Sequence, residues 1–203
     1  MTGQDEKSFF RRALRLEYFT VVYNILEAAA AFVAGGMANS IALVGFGLDS
    51  LVESLSGFVL IWRLKRQNRL PEEEVEKIEA RASRFVGVTF LILGAYVLFE
   101  SVKRIVIREV AAPSPMGIII AVLSLIVMPV LGYQKLKLGR RLNLRSLIAD
   151  SKETFVCAGL SLALLLGLGG RTLFDAWWLD PLVGLVIVGY LFKEGYELVF
   201  NDD

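Results

Sequence analysis

The sequence predicts an all-α membrane protein of six transmembrane helices with both termini cytoplasmic, and three observations carry that reading. Of its 203 residues 55% are hydrophobic and the mean hydropathy is +0.57, more apolar surface than a soluble core of this length can enclose. The apolar residues gather into six runs near the ~20 residues that cross a bilayer core. Charged residues concentrate between the runs, so one membrane domain accounts for the chain.

The expected spans are 18–36, 41–62, 85–107, 116–133, 147–168 and 179–199. Ahead of the first, residues 8–19 alternate aromatic and leucine positions with arginines, as a helix lying in the interface does. Arg11, Arg12 and Arg15 precede that span without a small-residue cleavage site, which marks an uncleaved first helix. Turn-formers punctuate the connectors: Asn39, Pro71, Pro113 with Pro115, Gly139, and Gly169 with Gly170. Pro71 with Glu72, Glu73 and Glu74 reads as a helix start, and Glu73 and Lys77 are spaced for an i,i+4 pair. Near the far end of the third span Glu100 has Lys103 and Arg104 at ion-pair spacing. Asp180 before Pro181 reads as a cap and first turn of the sixth helix. Gly35, Gly36, Gly45 and Gly47 suit close packing or turns better than a phosphate cradle.

Lys and Arg set the orientation, because they collect in cytoplasmic connectors. Lys7, Arg11, Arg12 and Arg15, then Arg63 through Arg84, then Lys135, Lys137, Arg140, Arg141 and Arg145 fall on the side of the termini. Only Lys103, Arg104, Arg108 and Arg171 fall opposite. Trp62 on the inner side and Trp177 with Trp178 on the outer side sit where interfacial aromatics are expected.

A carboxylate at mid-bilayer costs about 2.5–3.5 kcal/mol on insertion scales, which makes each one a functional suspect. Asp49 and Glu53 in the second span, and Glu153 and Cys157 in the fifth, are each four residues apart and so share a helix face. At ~1.5 Å per residue the two pairs fall within about one turn of the same depth. Two facing pairs make a four-ligand site. Glu27 lies roughly 13 Å into the first span, close to the depth of Glu53. It is a candidate accessory ligand or proton carrier, or a hydrogen-bonding partner of Asn24 or Tyr23. Asn24, about a turn below it, and Asp150, closer to the inner surface where a solvated entrance acid is expected, are the other candidate proton or accessory groups.

No basic residue is expected opposite the acids except Lys152, which points about 100° away from Glu153. Three carboxylates and a thiolate repel one another unless protons or a divalent metal intervene. The set suits four-coordinate Zn²⁺, with Cd²⁺ favoured by sulfur and Mn²⁺ or Fe²⁺ by oxygen. A hydrogen-bonded polar cluster holding helices together is the structural alternative, and Cys157 alone fits a small buried hydrophobe equally well.

Asn24, the stretch Ser40-Ile41-Ala42-Leu43 leading to Asp49-Ser50-Leu51-Val52-Glu53, Ala149-Asp150 leading to Glu153 and Cys157, and Asp180-Pro181 resemble the transmembrane domain of the cation diffusion facilitators. The resemblance implies a divalent-cation exporter, commonly a proton antiporter and a dimer, with Asp49, Glu53, Glu153 and Cys157 as the metal site. It implies an interfacial segment 1–17 and a six-helix cation-transport domain 18–203. This sequence departs from the family's usual pattern in carrying Asp with Glu and Glu with Cys as its pairs. It has no histidine, and it ends soon after the sixth span, where the family's cytoplasmic domain would follow. The expectation is a divergent branch lacking that domain, or a family-derived protein with another role.

The expected function is efflux of a Zn²⁺-like ion by alternating access, with the ion as cargo and no resident cofactor. The alternative is a metal-binding membrane protein that modulates a partner without transporting. The expected location is the plasma or inner membrane; expected partners are the lipid bilayer, the divalent metal ion, protons and a homodimer mate. A net charge of +1 with scattered basic residues argues against nucleic acid. An enzyme is not expected: without histidine there is no HExxH or Ser-His relay, and no G-x-S-x-G occurs.

Overall fold

The computed structural model describes residues 3–38, 41–66, 71–108, 114–174 and 179–200. These form six α-helices and no strand: α1 (Gly3–Ala38), α2 (Ile41–Arg66), α3 (Glu72–Ile107), α4 (Pro115–Leu142), α5 (Arg145–Phe174) and α6 (Leu179–Phe200). Among the described residues α1, α2 and α4 contain stretches long and apolar enough to cross a membrane. The surface agrees, since Leu26, Val33, Ile92, Phe99, Ile119 and Ile126 are each more than half exposed. In water such a surface would be an aggregation hazard; in lipid it is solvated.

The helices pair as α1 with α2, α4 with α5, and α3 with α6. The first two pairs face each other through α1 against α4 and α2 against α5, forming a four-helix core, and the α3/α6 pair flanks it against α2 and α5. Small residues let the pairs approach. A Cβ at Gly35 would fall 2.9 Å from Val44 Cγ2, and one at Gly87 would fall 2.7 Å from Leu198 Cβ. That is the small-residue packing of membrane helices. Apolar clusters seal the core: Ala31, Leu43, Phe46, Met128 and Leu131 on one side, and Phe90, Leu93, Val188 and Leu191 beneath α3/α6.

Helix ends follow local chemistry. Ser114 caps α4 by accepting a hydrogen bond from the Gly117 N–H at 3.1 Å, with Pro115 at the first position, where its missing N–H costs nothing. Asn143, left-handed at φ 53°, ends α4, and the Leu144 N–H returns to the Gly139 carbonyl at 2.9 Å. Pro71 precedes α3 as expected, and Lys77 bonds Glu73 at 2.7 Å. Lys103 pairs with Glu100 at 3.9 Å.

Several expected boundaries move. Residues 8–19 are continuous with the first span in α1, because no residue there breaks the helix. Gly139 lies inside α4 and Gly169 with Gly170 inside α5, so the turn between α4 and α5 belongs to Asn143. A helix whose neighbour approaches closely tolerates glycine without ending there. Asp180 and Pro181 fall in the first turn of α6. Asn39, Ser40, Pro113, Trp177 and Trp178 lie outside the described residues. Trp62 is 44% exposed beneath the Arg66 guanidinium, 4.7 Å from its ring centroid, as an interfacial aromatic should be.

Candidate metal centre

Polar residues recur along the inward faces of all four core helices. On α1, Glu17, Thr20, Asn24 and Glu27 follow at spacings of three, four and three, which stacks them on one face. On α2 the face carries Asp49, Ser50, Glu53 and Ser56; on α5, Asp150, Glu153, Thr154 and Cys157; on α4, Ser124 and Lys135. All are buried. Apolar residues face out and charges face in, which inverts the pattern of a soluble protein and is the usual mark of an ion or proton path through a membrane.

The cluster has three levels along the bundle. At the level farthest from the start of α1, the Ser50 hydroxyl donates to Glu27 Oε2 at 2.8 Å, and Tyr23 and Ser124 also face that carboxyl. Asp49 and Cys157 meet there within hydrogen-bonding reach. In the middle level, Thr154 Oγ1 donates to Glu53 Oε1 at 2.5 Å, Asn24 faces Glu53 and Ser56 faces Glu153. At the level nearest the start of α1, Lys135 Nζ donates to Asp150 Oδ2 at 2.5 Å and to Thr154 Oγ1 at 3.2 Å. The same ammonium lies 3.4 Å from Glu17 Oε2 and 3.9 Å from Glu53 Oε1.

The structure therefore brings Asp49, Glu53, Glu153 and Cys157 into one buried cluster, with Asn24 and Glu27 beside them. Among the described residues no three acid or thiol groups converge closely enough to form a metal shell as they stand. The cluster is nonetheless rich in unmet demand. Among the described residues both Glu153 oxygens, both polar atoms of Asn24, Asp49 Oδ2 and Glu53 Oε2 have no hydrogen-bond partner. Buried polar atoms are almost always satisfied, and each orphan costs free energy. A cation or protons meet that demand with the residues present.

The structure corrects three expectations. Asp150 is not a solvated entrance acid but fully buried and bound to Lys135. A basic residue does stand at the depth of the acids: Lys135, 0% exposed, which the charge count had assigned to a surface connector. Glu17, assigned to the interfacial segment, is likewise fully buried beside it. The signal was in the spacing: Lys135 lies seven residues after the buried Met128, on the same face of α4.

A six-helix membrane bundle whose core is acid-lined and whose outside is apolar defines a membrane protein that handles cations. The chain belongs to the cation efflux transmembrane domain family, whose model matches residues 18–202, in agreement with the resemblance seen in its motifs. Cation efflux proteins are transporters, which speaks against an enzyme. Over 198 residues the chain is 24% identical to Transmembrane protein 163 of Xenopus laevis, covering 97% of this chain and 69% of that protein. It is 25% identical over 187 residues to an uncharacterized transporter of Methanocaldococcus jannaschii, covering 90% and 66% of the two chains. It is 24% identical over 149 residues to the magnetosome protein MamB of Magnetospira sp., covering 71% of this chain and 51% of that one. The chain thus spans between about half and about two thirds of the length of these relatives.

Proposed function

We propose that this protein moves a divalent, Zn²⁺-like metal ion out of the cytoplasm in exchange for protons, by alternating access to a site formed from Asp49, Glu53, Glu153 and Cys157. The observation that carries the proposal is the set of unpartnered carboxylate oxygens on Asp49, Glu53 and Glu153, buried among α1, α2, α4 and α5. Metal binding to carboxylates and a thiol displaces protons, so each ligand that loads metal also releases the counter-ion of an antiporter. Because the four groups do not form a tight shell in this arrangement, loading requires α2 and α5 to draw together, the kind of gating expected of alternating access. Glu27 and Asn24 serve as proton or accessory groups above and beside the site. The termini face the cytoplasm of a plasma or inner membrane, and the working unit is a homodimer.

The test is metal flux into proteoliposomes containing a metal-sensitive dye, under an imposed pH gradient, for wild type, Glu53→Ala and Glu153→Ala. Gradient-dependent flux that is lost in both variants is expected. Saturable metal binding with no flux for Zn²⁺, Cd²⁺, Mn²⁺ or Fe²⁺ would replace transport with a metal-responsive modulator. The observation that favours that second reading is the internal neutralisation by Lys135, which a static polar cluster would also use.

A further inference from the structure

One ammonium serves three carboxylates from three other helices. Lys135 on α4 is fully buried, 2.5 Å from Asp150 on α5, 3.4 Å from Glu17 on α1 and 3.9 Å from Glu53 on α2. Glu53 is divided between two environments: its Oε1 faces Thr154 and Lys135, while its Oε2 has no hydrogen-bond partner among the described residues. One carboxylate thus belongs both to the lysine cluster and to the candidate ligand set.

We propose that Lys135 is a tethered counter-cation that competes with the transported divalent ion for Glu53, and thereby sets the affinity of the site and the rate of release. The inference rests on the transport reading above and deepens it. An ion that engages Glu53 brings two positive charges within a few ångströms of the ammonium. In a low-dielectric interior like charges at that distance repel strongly, so ion binding and the Lys135–Glu53 contact oppose one another. The lysine has somewhere to go: Asp150 and Glu17 already flank it at shorter distances than Glu53, and a flexible four-carbon stem carries its charge between them. When the ion leaves, the ammonium restores part of the lost charge at Glu53. The site never has to hold three carboxylates without a cation. Arginine at this position would present a wider, planar group to the same space and would not move as a compact point charge.

The experiment measures Zn²⁺ binding by calorimetry in lipid nanodiscs, and Zn²⁺ flux in proteoliposomes, for wild type, Lys135→Gln, and Lys135→Gln combined with Asp150→Asn. The double variant loses one cation and one carboxylate together, so its formal charge matches wild type and a change in affinity reports the missing competitor. Both variants are expected to bind Zn²⁺ at least ten-fold more tightly, with KM and kcat falling together as release slows. If Lys135→Gln does not fold, the double variant decides alone. Unchanged or weaker binding in the double variant, with wild type binding normally, overturns the role of Lys135 and leaves the transport reading intact. Absence of Zn²⁺ binding in wild type itself removes both.

Discussion

At Cys157 the buried polar cluster changes from oxygen to sulfur, and that one atom is where ion preference is expected to be set. Softer ions gain most from a thiolate and harder ones least. Cys157→Ser is therefore expected to lower Cd²⁺ affinity about ten-fold more than Mn²⁺ affinity, read from binding isotherms of the two ions on the same preparation. Equal losses for both ions would return Cys157 to the role of a buried small residue. Lys135 poses the stability question at the same scale. Removing one partner of a buried ionic cluster costs about 3–5 kcal/mol, so Lys135→Ala should lower the thermal unfolding midpoint in detergent well below that of Lys135→Gln with Asp150→Asn. Residues such as Asp49, Glu53 and Glu153 were legible because each interrupts an apolar run and has a partner four residues away. Lys135 and Glu17 were not, because each lies just outside an apolar run, Lys135 after the fourth and Glu17 before the first. A window that averages over neighbours assigns a lone buried charge to the nearest connector; only the spacing from Met128 or from Asn24 betrays the face it occupies.

The helices themselves were largely legible, since length and hydropathy dictate a membrane-crossing segment almost alone. Their ends were less so. Gly139, Gly169 and Gly170 read as turns yet lie within α4 and α5; at Gly139 the glycine admits a close neighbour, since a Cβ there would fall 2.8 Å from Ile148 Cγ1. The α4/α5 turn rests on Asn143 at φ 53° instead. A β-branched residue there must adopt a left-handed conformation at a cost of about 1–2 kcal/mol, while glycine adopts it freely. Asn143→Val is expected to lower the unfolding midpoint and Asn143→Gly to leave it unchanged or raise it slightly, both followed by thermal unfolding in detergent.

Over the whole molecule, ligand protonation links ion binding to pH. Carboxylates and thiol must be deprotonated to bind metal, so apparent affinity falls as pH falls. The expected slope is about ten-fold per pH unit for each proton displaced per ion, measured as the Zn²⁺ dissociation constant between pH 6 and 8. A flat profile would mean that binding displaces no protons, which removes the proton release on which the proposed exchange rests. The pairing of helices has a different consequence, for how the protein is made. The α1/α2 and α4/α5 partners adjoin in sequence, so each hairpin can close as soon as its second helix leaves the ribosome. The partner of α3 is α6, which is synthesised only after two further helices, and their seam depends on Gly87, Gly94 and Gly195 lying against Leu198, Leu191 and Leu91. Until translation reaches α6, α3 waits in the bilayer with its glycine face open, and this is the interval in which a chaperone or a degradation signal has its opportunity.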